Sequence, residues 1–289
     1  LVSTGSTSTT YGIYLGDISN DSVFNNTISV NTTYATSSSM YMSGTGANNV
    51  IYNNAILNLG TGGHAMYWTA TGTNTKSDFN NIFSTNKSLF STGTVDTSLH
   101  NWRLNKNMEL NSIAYNPGLG ADGRPDVNNP GVWSLNGRAM QIAGNTIDRD
   151  GNPRIDVRAN GVPDIGAFEV EPAVAPPVAV ATPAIPAAST TQVFRFGQDT
   201  VATITWTPGM IVPTYVDVRC YSGRKAPNNF PASANYMYFY SDVNTQDVSY
   251  DFNPKLYYKD IWLGTIASES ALRLARQLAP NPWIAYNTP

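Results

Sequence analysis

A chain of 289 residues that is 41% hydrophobic can build one or two packed domains, but only 13% of it is charged, roughly half the usual share of about 25%. Its surface is therefore expected to consist of Ser, Thr, Asn and Gly. The net charge of −3 comes without a basic patch, which argues against a nucleic-acid partner. No apolar run approaches the ~20 residues of a membrane-spanning helix, and the single cysteine, Cys220, excludes an internal disulfide.

The chain opens with Leu1-Val2-Ser3-Thr4, neither an initiator Met nor a signal peptide. From Tyr11 to Phe90 it repeats itself. Val23-Phe24-Asn25-Asn26-Thr27-Ile28, Ile51-Tyr52-Asn53-Asn54-Ala55-Ile56 and Asp78-Phe79-Asn80-Asn81-Ile82-Phe83 share an aromatic residue, an Asn pair and apolar residues. The Asn pairs start at 25, 53 and 80, in steps of 28 and 27. In phase with them run Gly12-Ile13-Tyr14-Leu15, Ser39-Met40-Tyr41-Met42 and Ala65-Met66-Tyr67-Trp68. A period of this length marks a solenoid. Short runs of Tyr, Phe, Ile and Val between turn residues mark strands, so the expected coil is a parallel β-helix. Equivalent side chains would then stack at the strand spacing of about 4.8 Å, and Asn26, Asn54 and Asn81 would form a structural amide ladder. The row Tyr14, Tyr41, Tyr67 has two readings: core, because each Tyr lies inside an apolar triplet, or an outward stripe that stacks on sugar rings. A coil starting at Leu1 would have an open apolar end, so further rungs are expected before it, or another molecule over it. Asn20, Asn25, Asn31 and Asn86 carry glycosylation acceptor patterns, as a Ser/Thr/Asn-rich stretch does by chance.

Between about Ser91 and Val132 the repeat gives way to a turn-rich region, where the coil should end. Next come Trp133-Ser134-Leu135, Ala139-Met140-Gln141-Ile142-Ala143-Gly144, Asp148-Arg149-Asp150-Gly151-Asn152-Pro153-Arg154 and Asp164-Ile165-Gly166-Ala167-Phe168-Glu169. This order resembles the terminal block of bacterial right-handed parallel β-helix surface proteins of the choice-of-anchor Q type, over residues 11–170. The Ile113-Ala114-Tyr115-Asn116-Pro117-Gly118 turn fits the same pattern. The resemblance implies a right-handed coil and a secreted or surface-exposed bacterial protein, with no defined reaction. The charges of Asp148, Arg154, Asp156, Arg158, Asp164 and Glu169 read as a salt-bridged cap that satisfies backbone groups lacking a next rung. A calcium reading competes, because Asp148-x-Asp150-x-Asn152 begins like a calcium loop. Pro153 stands where such a loop needs Gly, however, and Ala159 where it needs Glu.

Residues 171–190 are rich in Pro, Ala and Val, which predicts a semi-rigid linker between a first domain (1–170) and a second (191–289). In the second, Val193–Phe196, Val201–Trp206, Tyr215–Tyr221, Tyr236–Tyr240 and Val248–Phe252 alternate as strands of an Ig-like β-sandwich. Residues 268–278 predict one amphipathic helix, capped by Ser268 and stopped by Pro280. The wording of residues 263–275 also resembles accessory modules of secreted bacterial surface proteins. Tyr236, Tyr238 and Tyr240 fall on one strand face by the period of two, a candidate surface for a protein partner or a glycan.

Chemistry is hard to find. The coil holds only Asp17, Asp21, Lys76, Asp78 and Lys87, without the carboxylate pair of a hydrolase or a lyase cluster of carboxylates with a basic residue. His64 and His100 have no ligand spacing, and Cys220 sits in an apolar strand as an inert thiol. The expectation is a non-enzymatic secreted or cell-surface protein with a structural or adhesive role in a surface layer, filament or attachment. Its partners would be proteins, copies of itself or glycans, and it needs no cofactor. The alternatives are the end of a β-helix polysaccharide-degrading enzyme and a glycan-binding module.

Overall fold

A computed structural model describes residues 2–92, 94–154, 161–227, 236–245, 250–264, 266–277 and 284–285. Strands β1 (Val2–Ser6), β2 (Tyr11–Gly16), β3 (Ser22–Phe24), β4 (Thr27–Thr32), β5 (Ser38–Ser43), β6 (Val50–Tyr52), β7 (Ala55–Asn58), β8 (His64–Trp68), β9 (Lys76–Asp78), β10 (Asn81–Ser84) and β11 (Phe90–Ser91) come first. They pair in parallel into three sheets, β1-β4-β7-β10, β2-β5-β8-β11 and β3-β6-β9. The register follows the sequence repeat: Ile28 pairs with Ile56 and Ile56 with Ile82, Tyr14 with Tyr41 and Tyr41 with Tyr67, Val23 with Ile51 and Ile51 with Ser77. Between the sheets lies one cluster containing Ile28, Ile56, Ile82, Met40, Met42, Met66 and Ile51, each at most 1% exposed. Burial of side chains of this size contributes about 1.5–3 kcal/mol each.

This arrangement corrects the expected right-handed parallel β-helix followed by a β-sandwich. The protein is mostly β, with 35% strand and 7% helix. Its described strands are divided among six small parallel and antiparallel sheets, with no continuous solenoid sheet among them. The cause lies at the corners. Asn20, Asn48 and Asn74, and Asn25, Asn53 and Phe79, all have positive φ, and each such residue bends the chain between one strand and the next. The repeat is thereby cut into strands of two to six residues.

The end of the parallel region is closed by β12 (Val95–Asp96), antiparallel to β11, and by helix α1 (Leu99–Lys106). Ser98 caps this helix by accepting a hydrogen bond from the Asn101 N–H, and Asn107 ends it in the left-handed region. Trp102 lays its ring on Phe90 at 4.0 Å. Residues 109–113 then act as a partial next layer. The Glu109 N–H donates to Ser77 O (2.8 Å), the Ile113 N–H to Asn80 O (2.9 Å), and the Ile82 N–H to Ile113 O (2.8 Å).

A 3-10 turn at Pro130–Ser134 leads into residues that cover the outer face of the first sheet. Ala55 and Leu57 pack there with Leu135, Ala139 and Ile165. The antiparallel part follows, with β13 (Val180–Thr182), β14 (Thr191–Phe196), β15 (Asp199–Trp206), β16 (Val216–Ser222), β17 (Phe239–Thr245) and β18 (Phe252–Leu256). It makes one sheet, β13-β14-β15-β18, and a separate pair, β16-β17. Its core of Phe194, Ile204, Trp206, Val218 and Trp262 is continuous with Ile113, Val132 and Trp133. The Pro/Ala-rich segment is packed rather than free. Val174 O accepts from Trp133 Nε1 (2.8 Å), the Ala179 N–H donates to Val218 O (2.8 Å), and Val180–Thr182 is a strand.

The predicted helix at 268–278 is a 3-10 turn at Glu269–Ala271, followed by β19 (Ala275–Arg276), which pairs with β20 (Ile284–Ala285). Leu274 is 36% exposed. So short a segment gains too little from its own hydrogen bonds to nucleate a helix. Leu278 and Pro280 lie outside the described residues, as do Val248 and Ser249 of the predicted Val248–Phe252 strand.

Candidate functional site

The second parallel sheet carries its flanking Met residues inward and its tyrosines outward. Met40, Met42 and Met66 are buried, while Tyr14 is 57% exposed and Tyr41 and Tyr67 are half-buried. The rings of Tyr14 and Tyr41 stack at 4.9 Å with 6° between their planes, and those of Tyr41 and Tyr67 at 5.1 Å with 3°. Tyr11 packs obliquely on Tyr41 at 4.9 Å. His64 lies 5.5 Å from Tyr67 and bonds Ser88 Oγ through Nδ1 (2.5 Å). The core reading of this row is thus corrected. A strand alternates its faces, so the apolar neighbours of each Tyr take the inside and leave the ring outside. Because the rings cover one another's faces, the row offers solvent its ring edges and hydroxyls. Burial and the neighbouring phenols push the Tyr11 hydroxyl above its ordinary range.

The amide ladder differs by one residue from the expected Asn26, Asn54, Asn81. Asn26 Nδ2 donates to Asn54 Oδ1 (3.0 Å), and Asn54 Nδ2 donates to Asn80 Oδ1 (3.2 Å). Asn81 instead enters β10 and donates to Ser134 Oγ (2.9 Å). The corner keeps two residues in each repeat, but the strands on either side of it pair 26 residues on while the Asn pair recurs 27 residues on, so Phe79 takes the left-handed position held by Asn25 and Asn53. Such a backbone is strained for a bulky residue, and the Asp78 carboxylate accepts the Phe79 N–H (2.8 Å) to hold it. A further ladder, Asn20–Asn48–Asn74, runs along the outside with amide contacts of 3.1 and 3.2 Å. Its signal was present in the sequence as Asn at steps of 28 and 26.

The charged block lies along the flank of the repeat and not over its end. Arg154 pairs with Glu169 (2.6 Å) and donates to the carbonyls of Asp164 and Gly166. The Asp164 carboxylate accepts the N–H groups of Gly137 and Val170 (both 2.6 Å). The Gly166 N–H donates to Asn53 O (2.8 Å), and a Cβ at Gly166 would stand 2.7 Å from Thr27 Oγ1. The outer strand face offers unfilled backbone acceptors there, which draws the block sideways. Burial pushes the Asp164 carboxyl well above its usual range, and that of Glu169 up to about 7. Asp156 and Arg158 lie outside the described residues.

In the calcium candidate, Asp148 accepts from the N–H groups of Asp150 and Asn152, from Asn152 Nδ2 and from the Glu169 N–H. Asp150 pairs with Arg124. The loop thus turns its acceptors onto its own donors and onto an Arg, a poor donor set for a cation.

One buried carboxylate was missed in the sequence. Glu109, fully buried, accepts from the hydroxyls of Ser77 and Ser112 and from Asn80 Nδ2 (3.1 Å). Burial pushes its carboxyl up to about 7, against the opposing effect of these hydrogen bonds. Asp78 lies beside it, held by the Asn111 N–H (2.7 Å) and Asn111 Nδ2 (2.9 Å). Ser77 and Asp78 occupy the columns filled by Val23 and Ile51 and by Phe24 and Tyr52 in the other repeats. A polar pair in an otherwise apolar column was the available signal. Both carboxylates are consumed by protein donors, and Glu109 is sealed from solvent.

Tyr236, Tyr238 and Tyr240 do not share a strand face. The strand begins at Phe239, Tyr238 is buried at 5% exposure, and Tyr236 meets it edge-on at 5.8 Å with Lys225 over the Tyr236 ring. Tyr240 stacks on Tyr221 across the β16-β17 pair at 4.4 Å. Cys220 is buried, and burial pushes its thiol up to about 11. No helix among the described residues is long and apolar enough to cross a membrane. No family model, curated protein or solved structure matches the chain, so a functional reading must stand on this geometry.

Proposed function

We propose that the protein is a non-enzymatic adhesive protein of a cell surface, and that the Tyr14–Tyr41–Tyr67 row is its contact face. The observation that carries the reading is the outward, mutually stacked geometry of that row. Of the outer faces in the parallel region, the first sheet's is covered by Leu119, Leu135, Ala139 and Ile165, whereas the tyrosine face is open. Stacked aromatic side chains are already ordered, so binding costs them little further entropy. Tyr supplies apolar area and a polar tip at once. The low charge and the Ser/Thr/Asn surface favour contact through hydroxyls and rings over ion pairing. The sealing of Glu109 from solvent, and the protein donors that occupy the Asp78 carboxylate, support the non-enzymatic side of the reading.

The test is adhesion. Beads coated with the protein should hold to at least one surface among bacterial walls, plant walls and animal cell layers. The variant with Tyr14, Tyr41 and Tyr67 changed to Ala should lose that hold. Adhesion to none of them, adhesion unaffected by the three changes, or release of reducing ends from the wall material would each contradict the reading.

A further inference from the structure

The tyrosine face is periodic, and that property narrows what can occupy it. Identical phenols recur at 4.9 and 5.1 Å, with ring planes within 6° of one another. Their hydroxyls therefore point the same way at a constant step. The hydroxyls of Tyr41 and Tyr67 have no protein partner among the described residues, and that of Tyr14 reaches only Ser43 Oγ at 3.5 Å. The surroundings add further hydroxyls. Thr9 and Thr36 pair their hydroxyls at 2.7 Å, and Ser88 meets His64. Burial lowers the basicity of His64.

A globular protein surface does not repeat at a fixed step, and the tyrosine row itself presents no charge to a charged polymer, the exposed Asp17 and Lys87 standing at its margins. An uncharged linear polymer with a hydroxyl-bearing unit of similar length meets both conditions. We infer that the tyrosine row binds an extended, uncharged polysaccharide, running across the strands so that successive sugar units meet successive tyrosine hydroxyls. The inference rests on the adhesive reading above and names the partner class for the same face. Ring-face stacking is not the mode, because the tyrosines occupy one another's faces. Hydrogen bonds from and to the phenol hydroxyls are.

Affinity electrophoresis tests this, with a soluble β-linked glucan, α-linked dextran or alginate cast into the gel. The protein should be retarded by the β-linked glucan, weakly or not at all by the coiled dextran, and not by alginate. Changing Tyr14, Tyr41 and Tyr67 together to Phe keeps the ring stack and removes the hydroxyls, and should weaken retardation at least tenfold. Lys255→Ala, at an exposed position of β18, should leave it unchanged. Unaltered retardation of the triple Phe variant would overturn the inference. So would equal retardation by alginate, or dimerisation through the tyrosine face in light scattering. Absence of retardation in every gel, while coated beads still adhere in a tyrosine-dependent way, would remove the polysaccharide and leave the adhesive reading standing.

Discussion

The parallel and antiparallel regions are held by different kinds of contact. In residues 2–91 the principal interactions recur one repeat later: Ile on Ile, Asn on Asn, Tyr on Tyr. In residues 180–262 the decisive contacts are single. Asp199 alone faces Arg138 (3.4 Å), Lys259 (3.1 Å) and Arg103 (3.7 Å), which arrive from three different segments. Arg138 is buried against Phe196 and Trp262. A repeating region spreads its stability over many similar terms, whereas a joint of this type concentrates it in one carboxylate. Substitutions should therefore have graded effects in the first region and abrupt ones in the second.

The sharpest break in that comparison is Asp199→Ala. It leaves three cations facing one another with no carboxylate, two of them nearly buried, and removal of one partner from such a group costs about 3–5 kcal/mol. Chemical denaturation should show a loss of that size, and a loss below about 1 kcal/mol would remove the joint from the account.

Glu109→Gln comes next. The glutamate carboxyl is raised from 4.5 to about 7, so the folded protein holds its proton more tightly than the unfolded chain does. The stability it contributes is fully present below pH about 4.5 and is lost as pH rises through about 7. At about 1.4 kcal/mol per pH unit, the loss amounts to about 3 kcal/mol. Glutamine should remove this part of the slope in melts run from pH 4 to 8. Asp164 and Glu169 act in the same direction, so some slope should remain. An unchanged profile would show that Glu109 does not titrate there.

Within the repeat, Asn54→Ala should cost about 2–3 kcal/mol, because Asn54 is buried and bonded on both sides. Asn26→Ala, at the ladder's edge, should cost about 1 kcal/mol. Equal losses in thermal denaturation would contradict a graded ladder. Smallest in stability is Tyr41→Ala, at about 1 kcal/mol for lost ring contacts, yet it should have the largest effect on adhesion.

What was legible in the sequence follows the same division. The steps of the tyrosine line, 27 and 26, gave the pairing register of the second sheet, because the same side chains recur where its strands align. The inward or outward sense of the tyrosines was also available, in the alternation Met40-Tyr41-Met42, but an apolar triplet read as a block hides it. The shift from Asn81 to Asn80 lay in a mismatch of steps, 26 from Tyr41 to Tyr67 against 27 from one Asn pair to the next, which an alignment on the Asn pairs alone conceals. Glu109 meets Ser77 across 32 positions, outside the period, and no local pattern announces such a contact. The Pro/Ala segment read as a spacer because its backbone is extended. Its docking on Trp133 and Val218 depends on partners far away in the chain.

The most direct test of the central claim is a titration of the protein, carrying isotope-labelled tyrosine, with neutral β-linked glucan oligosaccharides, followed by NMR. Shifts confined to Tyr11, Tyr14, Tyr41 and Tyr67, growing with oligosaccharide length, are the predicted result. Shifts centred on Tyr221 and Tyr240, or none at any length, would contradict the assignment of the contact face.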